Sequence, residues 1–300
     1  MADTNMMKSA DFAKISSIDF VEMFSKNVNQ LTEILGLTRK VEKVPGQVVK
    51  TYKVTGELQD GTVAEGEQIP LSKYKTEVSD AFELTVLKYR KQTTLEAIND
   101  KGYEQAVEDT DEKMRRDIQN GIRKAFFDFL PTGTGKATAV ADGLQGALAA
   151  AWAQNQVYWE DYDNNGFIYF VNPLDVAGYL GTKDVTTQTA FGMTYIEGFL
   201  GLYDVVTYSG VPSGKVYTTA KDNIILYFAN PTNSEVGKAF EFTTDETGLI
   251  GIHRSVDYTT MTTDTTAICG IKLYAELIDG VVTVDLVDSS ATKTSSAKSN

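Results

Sequence analysis

Residues Ser17 to Leu37, SIDFVEMFSKNVNQLTEILGL, place Ile18, Val21, Phe24, Val28, Leu31 and then Ile34 or Leu35 at helical spacing. Ser16 or Ser17 offers a capping hydroxyl at the start, and Gly36 offers a stop. The period predicts an amphipathic N-terminal helix whose apolar stripe must lie on something, either the chain's own core or a neighbouring subunit.

The period then changes. Gln47 to Thr55, QVVKTYKVT, alternates and carries β-branched residues, which predicts a strand. Asp60-Gly61 is a turn signal, Thr62 to Lys75 has few apolar anchors, and Thr76 to Gln92 resumes an extended pattern. Together they predict a long two-stranded excursion with a polar tip. A lone hairpin is marginal in water. Ordering it costs about 1–2 kcal/mol per residue, so a second surface must cover it, and another chain can supply that surface.

Helical spacing returns at Leu95 and Ile98, with Thr93 or Thr94 as cap, and breaks around Lys101-Gly102. From Tyr103 the apolar positions run Val107, Met114, Ile118, Ile122, Phe126 and Phe129, one face of a long helix. Glu104, Glu108, Asp111, Glu112, Arg115, Arg116, Asp117 and Arg123 are assigned to the opposite face, acidic early and basic late as the helix dipole favours. At about 1.5 Å per residue, Tyr103 to Leu130 spans roughly 40 Å before Pro131 stops it. A glycine-rich corner, PTGTGKATA, follows, and its glycines are read as backbone freedom.

Beyond it, Leu144 to Gln156 reads as an alanine-rich helix, Phe167 to Val171 as a buried strand, and Asn172 to Leu180 as a helix opened by Pro173. Strands are expected at Val205–Tyr208, Val216–Thr219, Ile224–Phe228, Phe240–Thr243, Leu249–Tyr258, Thr265–Ile278 and Val281–Val287. Asp279-Gly280 is read as the tight turn pairing the last two. The end, DSSATKTSSAKSN, has no core former and is expected to be disordered. No internal repeat is present.

Composition changes this picture little. Three hundred residues with 42% hydrophobic and 23% charged side chains suit one large domain or two medium ones. No apolar run approaches the roughly 18 residues of a membrane span. The start shows no secretory pattern, so folding in a cytoplasm is the simplest reading. A single cysteine, Cys269, forms no internal disulfide and no multi-cysteine metal site. The net charge of −13 opposes general nucleic-acid binding. It suits either solubility or a container wall that must not trap an anionic cargo.

The candidate chemistry is thin. A phosphate-binding loop needs G-x-x-x-x-G-K-[ST]. With Gly135-Lys136 as its GK pair, the first glycine falls on Leu130 and the hydroxyl position on Ala137. Asp161, Asp163, Asn165 and Gly166 match the first half of a calcium loop, but the twelfth position is Asn172 where a bidentate carboxylate is needed. A polar turn before a strand is preferred to a metal site. The one histidine, His253, sits in an expected strand and reads as a packed or surface imidazole rather than a general base. Carboxylate catalysis has no distinguishing signature, since nothing singles out one Asp-Glu pair.

The order of elements is more informative: an arm, a long hairpin, a long helix, a mixed α/β region and a β-rich return. That order resembles the major capsid proteins of tailed bacteriophages with the Hong Kong 97-type fold. VAEGEQIPLSKYK looks like the tip of that family's extended loop. YRKQTTLEAINDKGYEQAVEDTDEKMRRDIQNGIRKAFFDFL is similar to its returning strand and spine helix, and FIYFVNPLDVAGYL to a strand-proline-helix step of its axial domain.

The resemblance implies an α+β subunit in six stretches. Residues 1–45 form the N-terminal arm with its amphipathic helix, which would run along an adjacent peripheral domain. Residues 46–92 form the extended β-hairpin loop, reaching over a neighbouring subunit towards its spine helix. Residues 93–138 form the peripheral domain with the spine helix, and residues 139–245 the axial domain. Residues 246–287 return to the peripheral domain, and 288–300 form the tail. Loops around Thr186 to Phe199 and Val211 to Lys215 would lie near the capsomer centre.

The implied function is structural: not an enzyme, without cofactor or metal, self-assembling into hexamers and pentamers of an icosahedral phage head around double-stranded DNA. Scaffolding and portal proteins would be partners, with a separate scaffold or one already removed. The implied location is the virion, assembled in the host bacterial cytoplasm, with no membrane. An encapsulin-type compartment on the same fold is the alternative, and a nucleotide- or calcium-dependent enzyme is a third reading. Covalent cross-linking is not carried over, although Lys73 and Lys75 lie in the loop, because no catalytic carboxylate or partner asparagine aligns. The candidate inter-subunit contacts are Glu65, Glu67, Lys73 and Lys75 on the loop, facing Arg115, Arg116 or Lys124 of a neighbour.

Overall fold

The computed structural model describes residues 9–287 apart from 38, 45, 142, 163, 181–186, 191–192, 201–202 and 233–234. The expected tail at 288–300 lies outside the described residues. Helix α1 (Ser9–Ile34) starts earlier than the apolar spacing implies. Ser17 is therefore a buried side chain within it, not a cap. Gly36, at φ +66°, takes the left-handed conformation that ends it.

Strand β1 (Lys40–Glu42) leads to the hairpin of β2 (Val48–Glu57) and β3 (Lys73–Glu83). Strand β4 (Leu87–Thr94) leaves the hairpin, so the excursion closes at Glu83 and residues 87–92 belong elsewhere. Helix α2 (Leu95–Lys101) begins at Thr94, whose hydroxyl accepts the Ala97 N–H, and stops at Gly102.

The long helix departs from its expected form. A π-turn at Glu104–Glu108 precedes α3 (Asp109–Phe126). The regular helix is thus 18 residues, roughly 27 Å, and Pro131 lies in a separate 3-10 turn. Ile118 and Ile122 are buried as the period requires. Asp111 and Arg115, assigned to the solvent face, are buried too. The reason is a second surface: Asp111 pairs with both Lys91 of β4 and Arg254. Lys91 also donates to the Val107 carbonyl at 2.9 Å, satisfying an acceptor at the π-turn.

The next elements are β5 (Gly135–Thr138), α4 (Gly143–Tyr158), β6 (Phe167–Val171), α5 (Pro173–Leu180), β7 (Thr187–Ala190), β8 (Met193–Phe199) and β9 (Tyr203–Thr207). After them come β10 (Lys215–Ala220), β11 (Ile224–Phe228), α6 (Glu235–Ala239), β12 (Ile250–Asp257), β13 (Thr262–Cys269), β14 (Ile271–Ala275) and β15 (Val282–Asp285). The largest sheet has the order β5-β15-β10-β6-β9-β8-β7. Two three-stranded sheets, β1-β11-β14 and β12-β13-β4, and the lone β2-β3 ribbon complete the set.

Strand β6 is buried at every position, and its period of two divides it between two cores. Ile168 and Phe170 pack with α1, α3 and the small sheets, while Phe167, Tyr169 and Val171 pack with α4. Strands β9 and β10 divide likewise, Val206 and Tyr217 against Val205 and Val216.

Three β expectations change. Phe240–Thr243 is not a strand, since only Thr243 forms a single bridge, to Ile252. The run Thr265–Ile278 breaks at Gly270, where the chain passes from the sheet of β12 to that of β11. Asp279-Gly280 is not a hairpin turn: β14 pairs with β11 and β15 with β10 and β5, so a 3-10 turn over Ile278–Gly280 carries the chain between sheets.

Ile122→Ala should lower stability by about 2–5 kcal/mol in denaturant unfolding, the range for emptying a packed aliphatic site. The exposed Lys124→Ala on the same helix should stay within about 0.5 kcal/mol.

Candidate inter-subunit surface

The β2-β3 ribbon changes character along its length. At its root, Val49 and Thr51 of β2 and Phe82 of β3 are buried. The Phe82 ring lies 4.1 Å from that of Tyr274 and 5.1 Å from that of Tyr227, with the Lys272 ammonium 4.9 Å above it. Asp80 accepts a hydrogen bond from the Tyr274 hydroxyl. Burial first, and then this bond, push the Tyr274 phenol above its ordinary range.

A β-bulge follows. Thr51 pairs with Asp80, but Tyr52 pairs with Val78, so Ser79 is the extra residue. Because side chains alternate, one added residue reverses the facing of everything beyond it on β3. On β2 the face that buries Val49 and Thr51 continues as Lys53, Thr55 and Glu57. Across the bulge these oppose Glu77, Lys75 and Lys73. The other face carries Tyr52, Val54 and Gly56 opposite Val78, Thr76 and Tyr74. The ribbon beyond the bulge therefore has a charged face, continuous with the buried face of its root, and an apolar face opposite it. Tyr52, Val54, Tyr74 and Val78 are 52–59% exposed, and Leu58, Ile69 and Leu71 at the tip 66–89%. Gly56 is required there, since a Cβ would lie 2.6 Å from the Tyr74 ring.

One contact ties the charged face to the body. Lys53 Nζ lies 2.7 Å from Asp279 Oδ2, and Asp279 Oδ1 accepts from Thr134 Oγ1 at 2.7 Å. Hydrogen bonds from Lys53 and then Thr134 hold the Asp279 carboxyl below its ordinary range, and the same pairing raises Lys53. No sequence spacing signals this pair, which is 226 residues apart.

The sequence-derived candidates divide accordingly. Glu65 and Glu67 are exposed at the tip, where Glu67 accepts the Ala64 N–H at 3.3 Å. Lys73 and Lys75 are exposed on the same charged face as Lys53, Lys75 paired with Glu77. On α3, Arg116 pairs with Glu112, and Lys124 is exposed. Arg115 is 6% exposed and is withdrawn from the set a neighbour can reach. Burial lowers its guanidinium from the ordinary value. Within one subunit, no hydrogen bond or ion pair joins the ribbon to α3 among the described residues.

The enzyme-like motifs resolve into structure. Gly135–Thr138 is strand β5, parallel to β15. Gly133 and Gly135 are needed for close approach and not for freedom, since a Cβ would come 2.5 and 2.9 Å from the Val281 carbonyl oxygen. In the calcium-like stretch, Asp163 lies outside the described residues. Asn165 is bound to Asp222, and Asn172 caps α5 through the Leu174 N–H while donating to the Val211 carbonyl. No cluster of metal-ligating side chains occurs among the described residues. His253 Nδ1 lies 2.7 Å from the Glu241 carbonyl oxygen, and burial pushes the Cys269 thiol up to about 12.

Of the two loop regions, Thr186 and residues 191–192 lie outside the described residues, and most of the remainder forms β7 and β8. Residues Val211–Lys215 are fastened at Ser213 and Gly214 by hydrogen bonds to Asp175. No described helix is long and apolar enough to cross a membrane.

No protein-family model and no curated protein matches the chain. Solved structures are similar to it. The cyanophage A-1(L) capsid asymmetric unit aligns with a TM-score of 0.54 at 10% identity, over 85% of this chain and 92% of that one. The holo-SrpI encapsulin complex of Synechococcus elongatus PCC 7942 gives 0.52 at 8% identity, over 86% and 88%. The satellite phage P4 procapsid including size determination (Sid) protein gives 0.50 at 11% identity, over 88% and 91%. These likenesses establish the fold: α+β, of the Hong Kong 97 type.

The Lys53–Asp279 pair gives stability a pH dependence. Because the folded Asp279 value lies below the unfolded one, its contribution is present above about pH 4 and is lost as pH falls through the folded value. Both side chains are more than a third exposed, 35% and 44%, so the contribution is at most about 1 kcal/mol. Asp279→Asn should remove it at neutral pH and flatten the acid limb of denaturant-unfolding stability by the same amount.

Proposed function

We propose that this chain, carrying the Hong Kong 97-type fold, is the major capsid protein of a phage head. In that reading its copies form hexamers and pentamers of an icosahedral shell around double-stranded DNA. The observation that carries the shell role is the exposed apolar face of the β2-β3 ribbon. Tyr52, Val54, Tyr74 and Val78 share one face of the ribbon and are each more than half exposed. Burying such a face on a second copy removes it from water, at about 25 cal/mol per Å² of apolar surface.

The apolar face, rather than the charged one, supplies the adhesive contact. Glu65, Glu67, Arg116 and Lys124 contribute orientation, each exposed pair being worth at most about 1 kcal/mol. The net charge of −13 lets the wall enclose DNA without sequence-specific binding. Scaffolding and portal proteins, and assembly in a bacterial cytoplasm, belong to the same reading. The similarity to an encapsulin supports a second reading, a compartment of the same fold that holds protein. Particle content separates the two.

Expressed alone or with its scaffold, the protein should form closed particles in negative-stain microscopy. Val54→Asp with Val78→Asp should leave the subunit's unfolding midpoint within about 1 kcal/mol of the parent and abolish particles. Lys73→Ala with Lys75→Ala should retain them. Deleting Asp60–Leu71 should likewise give a folded subunit that fails to close shells. Normal particles from the double aspartate variant overturn the outer-face contact.

A further inference from the structure

We propose that Lys53 and Asp279 form a latch that sets the direction of the β2-β3 ribbon, with the bulge at Thr51/Ser79 as its hinge. The inference rests on the shell reading only for its consequence, and on the geometry of one subunit for its existence. Rootward of the bulge the ribbon is fixed by burial of Val49, Thr51 and Phe82 and by the Tyr274–Asp80 bond. Beyond it, residues 54–78 make hydrogen bonds and ion pairs only with one another among the described residues, as in Gln59 N–H to Ser72 and Lys75 to Glu77. Lys53 is the first residue past the bulge on the face that buries Val49 and Thr51, and among the described residues it makes the sole ion pair from that part to the body.

The body side of the latch is rigid. Asp279 sits in the 3-10 turn of Ile278–Gly280 that carries the chain into β15. Its second oxygen is held by Thr134, on the segment entering β5. A Cβ on the adjacent Gly280 would lie 2.3 Å from the Trp159 ring, so the turn is pressed against the end of α4. The latch thus joins the ribbon to the edge of the seven-stranded sheet, a different layer from the Phe82–Tyr274 anchor. Two anchors on different layers, on either side of one bulge, fix an angle; one anchor leaves the bulge as a pivot. Lys53 and Asp279 are positioning residues: they aim the outer face and do not themselves touch the neighbour.

The test uses spin labels at Glu67→Cys and Gln145→Cys, both exposed, leaving the buried Cys269 unlabelled. Distances are read by pulsed electron resonance near neutral pH in the unassembled Val54→Asp/Val78→Asp background. If that background still forms particles, the outer-face contact fails, and the latch is read instead after dilution with unlabelled subunits. The parent should give one narrow distance peak, and Lys53→Arg should keep it. Asp279→Asn and Lys53→Met should lose the narrow peak for a broad distribution while unfolding stays a single cooperative transition. Because Lys53 lies on the half-exposed ribbon, Lys53→Met keeps the test valid where Asp279→Asn disturbs the turn. A parent peak already broad, or peaks equally narrow in both variants, overturns the latch.

Discussion

A two-stranded ribbon has two faces and no second layer, so whatever it does not bury on its own subunit it offers to another. That constraint organises the molecule. The root of β2-β3 is bought into the core by Phe82, Val49 and the Tyr274 bond. Past the bulge Lys53 reaches the body through Asp279, and both faces are otherwise exposed. The apolar face is left exposed. Such an exposed apolar ribbon face is what the proposed shell contact would bury.

The rest of the fold serves as a rigid mount. The seven-stranded sheet is packed on both sides, and its central strands alternate residue by residue between two hydrophobic cores. Helix α3 is fastened in two different ways. Its C-terminal half presents Ile118 and Ile122 to the larger core, whereas its start is held by Asp111 between Lys91 and Arg254. The π-turn at Glu104–Glu108 lies at the polar end of the helix, where Lys91 meets a carbonyl of that turn.

Glycine-rich and acidic stretches that look like ligand sites are absorbed into this mount. Gly133 and Gly135 let the chain lie against the Val281 carbonyl, and Asn172 spends its amide on the α5 cap and the Val211 carbonyl. Both are backbone problems solved with small or amide side chains.

Local periodicity determined much of this protein. The stripe from Val21 to Leu35, the Ile118–Ile122 face, the Thr94 cap, the buried run Phe167–Val171 and the alternation of Gln47–Thr55 are all legible in order, because each reports a neighbour within one helical turn or one pleat. The element order was legible too, and with it the fold. What the chain could not show is what depends on partners far apart in sequence. Asp111 and Arg115 read as solvent-facing because helical periodicity does not show that a second sheet covers that side. Asp279-Gly280 read as a hairpin turn because strand pairing is decided between β14 and β11, not between neighbours. The bulge at Ser79, which puts Lys73 and Lys75 on the face of Lys53 and Tyr74 and Val78 on the face of Tyr52, depends on register between two strands. Only the tertiary structure decides that, since a shift of one residue costs little locally and reverses every side chain beyond it.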